Sequence, residues 1–104
     1  MNREQIRQKI KEIPSKQEVV ELPEWECKVL IKELSAKSYL EIAEKGNSQS
    51  LAIPLLIINS VYTEDGERLF SQKDTDLLLE LPPSIFSKLV LAINKLNGFD
   101  TPKN

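Results

Sequence analysis

A group of carboxylates around one glycine is the first place in this sequence where chemistry could occur. Thr63-Glu64-Asp65-Gly66 combines acidic side chains with a turn-forming residue, as calcium loops do. The EF-hand loop places oxygen ligands two and four positions before the residue that precedes its glycine, and a glutamate six positions after the glycine. Those positions here hold Thr63, Val61 and Gln72. The pattern therefore predicts an ordinary turn, in which Asp65 and Gly66 are structural and no metal is bound.

The other reactive side chains lack the partners that catalysis requires. Cys27 is the only cysteine and the sequence has no histidine, which excludes an internal disulfide and a histidine-activated thiol. Three glycines, far apart in the chain, do not make a phosphate-binding loop. Asp74 and Asp76 form a carboxylate pair of a kind that is common on solvated surfaces. We therefore predict no catalytic residue, no cofactor-binding residue and no metal ligand, and we expect that the protein is not an enzyme.

Length and charge indicate one globular domain. The chain has 104 residues, of which 40% are hydrophobic and 29% charged. The net charge of −2 gives no overall basic field for nucleic acid, but residues 1–17 contain five basic and two acidic side chains, a net charge of +3. The longest apolar run, residues 51–58, is far short of the ~20 residues of a membrane span. With a lone cysteine and no apolar stretch near the N-terminus, we expect a cytosolic protein.

The N-terminal third predicts a helix followed by a β-hairpin. Ile6, Ile10 and Ile13 recur at helical spacing within residues 1–17 and give an amphipathic helix that ends before Pro14. This helix either packs on its own domain or docks on a partner. Apolar alternation over residues 18–33 predicts two paired strands, with Trp25 packed at the rim rather than stacked on a ligand.

The rest of the chain predicts a small helical bundle. Ser35 is an N-cap for a helix that Gly46 ends, and Ser71 with Asp74 has the form of a capping box for a short helix. Residues 51–62 predict a buried helix at the centre of the core, because Pro54 argues against a central strand. Residues 84–97 give an amphipathic helix, with Leu91 in the middle of its polar face. The predicted fold class is α+β, mostly α, with an N-terminal β-hairpin and four or five helices.

Short motifs in a fixed order make this sequence similar to one known family. They are Val61-Tyr62, Asp65-Gly66, Arg68-Leu69-Phe70, Asp74 and the apolar helix ending at Leu96-Asn97-Gly98. From Val61 onward the sequence resembles the tail assembly chaperones of long-tailed bacteriophages, and residues 20–25 and 29–35 are similar too. One departure is Leu81-Pro82-Pro83, where family members more often have a glycine- or lysine-containing link, which leaves the angle of the last helix open.

The resemblance covers residues 18–98 and implies that these form the chaperone-like domain, preceded by the helix of residues 1–17 and followed by a frayed tail, residues 99–104. It implies a non-catalytic protein, phage or prophage encoded, that binds the tape measure protein and recruits tail tube protein. Such a protein works in the host bacterial cytoplasm and is absent from the mature virion.

Exposed apolar side chains suit reversible binding of a partner helix. The candidate contacts are Ile6, Ile10, Ile13 and Leu91, and weak self-association would place several copies along one extended partner. We expect neither a nucleic-acid nor a membrane partner. The alternative is a small regulator whose basic N-terminal helix contacts nucleic acid or a membrane surface.

Overall fold

Five α-helices and a three-stranded sheet make up the part of the chain that the structure, a computed structural model, describes, residues 1–46 and 49–99. The predicted fold class is confirmed. The helices are α1 Arg3–Glu12, α2 Ala36–Lys45, α3 Gln49–Ser60, α4 Thr75–Leu79 and α5 Pro83–Asn97, and the strands are β1 Gln17–Leu22, β2 Cys27–Lys32 and β3 Val61–Tyr62. Single turns of 3-10 helix connect β1 to β2 (Pro23–Trp25) and precede α4 (Gln72–Asp74).

The sheet is antiparallel, with β2 in the centre. β1 and β2 form the predicted hairpin, in which Gln17 lies opposite Lys32 and Leu22 opposite Cys27. Because successive side chains of a strand point to opposite faces, alternate residues face the helices. The buried ones are Val20, Leu22, Val29 and Ile31.

The third strand corrects the prediction of one helix over residues 51–62. α3 ends at Ser60, and the next two residues form β3, which pairs with β2 so that Val61 lies opposite Ile31. β-branched Val61 is fully buried there, a position that suits it in a sheet. The prediction that this helix is buried holds for only part of its length. Leu51 at the start of α3 is exposed, whereas Ile57 is fully buried.

The core forms where α5 covers β1 and β2 and α3 packs against α5. Burying a leucine or isoleucine side chain contributes about 1.5–3 kcal/mol, so this cluster is the main source of stability. The helices supply most of it. Its members outside the sheet are Ile57, Ile58, Leu78, Ile85, Leu89 and Ile93.

Local signals at the ends of the later helices act as the sequence predicts. The Asp74 carboxylate accepts a hydrogen bond of 2.8 Å from the backbone N–H of Ser71, ahead of α4. Pro83 is the first residue of α5, where its missing N–H costs nothing. Gly98 ends α5 with a φ of 74°, in the left-handed conformation that favours glycine. Of the predicted tail, residues 100–104 lie outside the described residues.

Candidate protein-interaction surfaces

The N-terminal helix α1 carries the first candidate surface. Asn2 and Gln5 form a capping box that fixes its start: each side chain accepts a hydrogen bond from the other's backbone N–H, at 2.9 and 3.0 Å. None of the residues of α1 is buried. The radius of gyration of 15.2 Å also exceeds the about 13 Å expected of a compact chain of this length. The structure therefore does not show α1 packed on its own domain, which was one of the two interpretations of this helix.

The predicted contact residues of α1 form one stripe with a cationic border. Ile6, Ile10 and Ile13 are all exposed. Side chains three or four residues apart are neighbours on a helix surface, so Arg3, Arg7 and Lys9 border the isoleucines. Glu4, Lys11 and Glu12 have no such spacing to any isoleucine and lie elsewhere on the helix. The stripe thus suits an apolar partner surface bordered by carboxylates. That it binds a partner stays a prediction.

Leu91 lies apart from this stripe, on the outer side of α5. It is 66% exposed, whereas Leu89 and Ile93 on the inner side are fully buried. Lys88 and Lys95, three residues before it and four after it, are its neighbours on the helix surface. Since α1 has no buried residue and Leu91 is exposed, the structure does not pack the two candidate surfaces together.

The Asp65 and Gly66 turn has the geometry of a structural element. The Gly66 N–H donates to the Thr63 carbonyl at 2.9 Å, and the Thr63 N–H donates to the Glu67 carbonyl at 2.7 Å. Gly66 has a φ of 90°, in the left-handed region that favours glycine. Within residues 1–46 and 49–99, no three His, Cys, Asp or Glu side chains lie close enough to hold a metal ion.

The sequence did not predict a groove between α2, α3 and Phe99, which lies two residues after the end of α5. It has a volume of about 250 Å³ and is lined by side chains that are almost all apolar. At one wall the rings of Tyr39 and Phe99 pack with centroids 5.2 Å apart. Sequence spacing does not indicate this groove, because Phe99 is sixty residues from Tyr39 and lies in the segment expected to be a frayed tail. The lining residues are Tyr39, Ile42, Ala43, Ala52, Ile53, Leu56 and Phe99.

The end of α5 is held against the link between β2 and α2 by a single amide. The Asn97 side chain accepts a hydrogen bond of 2.8 Å from the Leu34 N–H and donates one of 2.8 Å to the Ile93 carbonyl. The Phe99 N–H then donates to the Asn94 carbonyl at 2.8 Å. These bonds position Phe99 beside α2.

None of the described helices is long and apolar enough to cross a bilayer.

Comparison with known proteins places this fold in a defined class. No model of a known protein family matches the sequence, and no curated protein matches it. Among solved structures, the chain has the fold of a phage tail assembly chaperone. That structure is the tail assembly chaperone of bacteriophage HK97, to which this chain is 21% identical, with a TM-score of 0.67 over 97% of this chain and 99% of the other. The resemblance identified in the sequence is thereby confirmed at the level of the fold.

Proposed function

We propose that this protein is a phage tail assembly chaperone that binds the tape measure protein, recruits tail tube protein and has no active site. The observation that carries the proposal is the match to the HK97 chaperone over nearly the full length of both chains. A fold can serve several functions, so the proposal also needs surfaces that suit the task.

Two features of the described surface suit reversible binding of a helical partner. The stripe of α1 and Leu91 on α5 are exposed apolar side chains in charged surroundings. An amphipathic helix can place apolar anchors at helical spacing into such a surface. Because these contacts are small and flat, the expected affinity is modest, which permits tube subunits to replace the chaperone during assembly.

The proposal places the protein in the host bacterial cytoplasm during assembly, encoded by a phage or prophage and absent from the mature virion. Long apolar helices of an unassembled tape measure protein aggregate when uncovered. A chaperone that covers these helices until tube subunits replace it, and then leaves, needs exposed apolar side chains such as those on α1 and α5.

Co-expression with the tape measure protein of the same phage tests this function. We expect the tape measure protein to become soluble only when this protein is present, and a pull-down to recover both. Ile10→Glu should weaken the complex at least several-fold, because it places a carboxylate in the apolar stripe. Lys11→Gln changes the net charge by the same amount away from the stripe, and it should leave the complex intact.

An equally soluble tape measure protein with and without this chain, and no complex in the pull-down, would overturn the proposal. The same protein should then be titrated into a duplex DNA and into vesicles with anionic lipid. Salt-sensitive binding to either would support the regulator hypothesis for the basic α1.

A further inference from the structure

The outer face of the sheet, which points away from α5, carries a row of apolar side chains. Alternate residues of the strands are buried against the helices, so the residues between them point outward. The register places Val19 opposite Leu30 and Leu30 opposite Tyr62, one residue from each strand. Val19 is 53% exposed and the other two are half-buried. With neighbouring strands about 4.8 Å apart, the row spans about 10 Å and can accept an apolar side chain of a partner.

Basic side chains border this row. Lys28 and Lys32 lie on β2 on either side of it and point to the same outer face. Arg68 lies opposite Tyr62 in an isolated bridge and adds a third cation beyond β3. The outer strand positions include one carboxylate, Glu21, which lies opposite Lys28. This face therefore has an excess of positive charge, whereas the chain as a whole has a net charge of −2.

Two of the cations converge on one aromatic ring. The Lys32 Nζ lies 4.4 Å from the centroid of the Tyr62 ring, and the Arg68 Cζ lies 5.7 Å from the same centroid. Arg68 is held there, because its Nη1 donates to the Ile58 carbonyl at 3.2 Å. Across β1, the residue opposite Lys32 is the uncharged Gln17. Two like charges beside one ring repel each other, and an anion between them would offset that repulsion.

The chemistry of this face selects a protein segment that carries carboxylates beside apolar side chains. Single-stranded nucleic acid fits less well, because its bases stack on successive aromatic rings and this face offers one ring and two aliphatic side chains. The basic helix α1 of another copy fits less well too, since residues 1–17 have a net charge of +3 and would meet charges of the same sign.

We propose that the outer face of the sheet binds an acidic, apolar segment of a partner protein. The apolar side chains of this segment pack on Val19 and Leu30. A carboxylate of the segment lies between Lys32 and Arg68, at the edge of the Tyr62 ring. This site is separate from the stripe of α1 and from the outer side of α5. The inference goes beyond the proposed function and does not depend on it.

NMR titration of the isotope-labelled full-length protein tests the site with two synthetic peptides. The first is Gly-Glu-Leu-Glu-Phe-Glu-Gly, and the second has lysine in place of each glutamate. We expect the acidic peptide to shift the backbone amides of residues 17–21, 28–32 and 62–68 in a saturable way, with a Kd of about 1 mM or tighter. The lysine peptide should not bind. At about 1 M salt, where the Debye length is about 3 Å, the affinity of the acidic peptide should fall several-fold.

Variants then separate the two parts of the proposed contact. Lys32→Gln/Arg68→Gln should weaken binding of the acidic peptide at least several-fold. Lys9→Gln/Lys11→Gln changes the net charge by the same amount on α1 and should leave the affinity near the wild-type value. Val19→Glu, at an exposed position, should retain the fold and also weaken binding, because it places a carboxylate in the apolar row. Circular dichroism should show wild-type secondary structure for each variant.

Four results would overturn the proposal, and none of them affects the tape measure assay. They are no saturable shift with the acidic peptide, equal binding of the lysine peptide, unchanged affinity in Lys32→Gln/Arg68→Gln, and shifts confined to residues 3–13, which would assign the binding to α1. Shifts on the outer face that grow with the concentration of the protein alone would show that a second copy covers this face instead.

Discussion

Two glycines show how one residue type serves two physical purposes in this molecule. An added Cβ at Gly66 would meet nothing within 4 Å, but the backbone there has a φ of 90°. At Gly46 the φ is −95°, which any residue adopts, but an added Cβ would lie 2.6 Å from the Ala52 Cα. Gly66 is thus required by the backbone conformation and Gly46 by the contact between α2 and α3.

Gly66→Ala should lower the free energy of unfolding by about 1–2 kcal/mol, because a side chain is unfavourable in the left-handed region. Urea denaturation measures the change. Calorimetry with calcium should show no saturable binding in either protein, since Asp65 and Gly66 are assigned to a turn. An unchanged stability would mean that this turn relaxes to a negative φ at no cost.

Gly46→Ala should cost about 1–3 kcal/mol for a different reason, the overpacking of two helices. Backbone NMR chemical shifts of Gly46→Ala should differ from those of the wild type throughout α2 and α3. The differences in Gly66→Ala should remain within residues 63–68. Equal stability of the Gly46→Ala and wild-type proteins would show that the helices separate freely at this point.

At the scale of elements, α5 shows what helical periodicity can predict. The spacing of residues 84–97 predicts one apolar face toward the core, made of Ile85, Leu89, Ala92, Ile93 and Leu96. Ile85, Leu89 and Ile93 are buried, and Ala92 and Leu96 are partly buried against the core. The spacing also places Leu91 outside that face, where the structure has it. Both results follow from the 3.6-residue repeat, because the face of a helix toward the core is set by sequence spacing alone.

Leu91→Lys should therefore leave the free energy of unfolding within about 0.5 kcal/mol of wild type. Leu89 is fully buried two residues away, so Leu89→Ala should lower the free energy of unfolding by about 2–5 kcal/mol. Thermal or urea unfolding of the two variants compares them directly. In the tape measure pull-down, Leu91→Lys should reduce binding if this face contacts the partner. A large stability loss for Leu91→Lys would place it in the core instead.

Other elements could not be predicted, because their cause lies far away in the chain. β3 is two residues long, too short for any periodicity, and it exists because Val61 and Tyr62 meet β2. The groove depends on Tyr39 and Phe99, which only the folded chain brings together. Local signals predicted the ends of helices and the hairpin, whereas these pairings between distant segments are properties of the tertiary structure.

At the scale of the whole molecule, the chain divides into a packed body and an appended helix. The body begins where Lys16 joins the sheet: its N–H donates to the Glu33 carboxylate at 3.2 Å, and its carbonyl accepts from the Glu33 N–H at 2.9 Å. Every residue before Lys16 is exposed. The part of the molecule that gives stability is therefore separate from α1, one of the surfaces proposed to make contacts.

Deletion of residues 1–13 should test this division. Because none of these residues is buried, the unfolding free energy should stay within about 0.5 kcal/mol of the full-length value. Small-angle scattering should show a smaller radius of gyration for the truncated protein than for the full-length protein measured under the same conditions. A truncated protein that is markedly less stable would show that α1 packs on the body in solution, and its isoleucines would then belong to the core rather than to an interface.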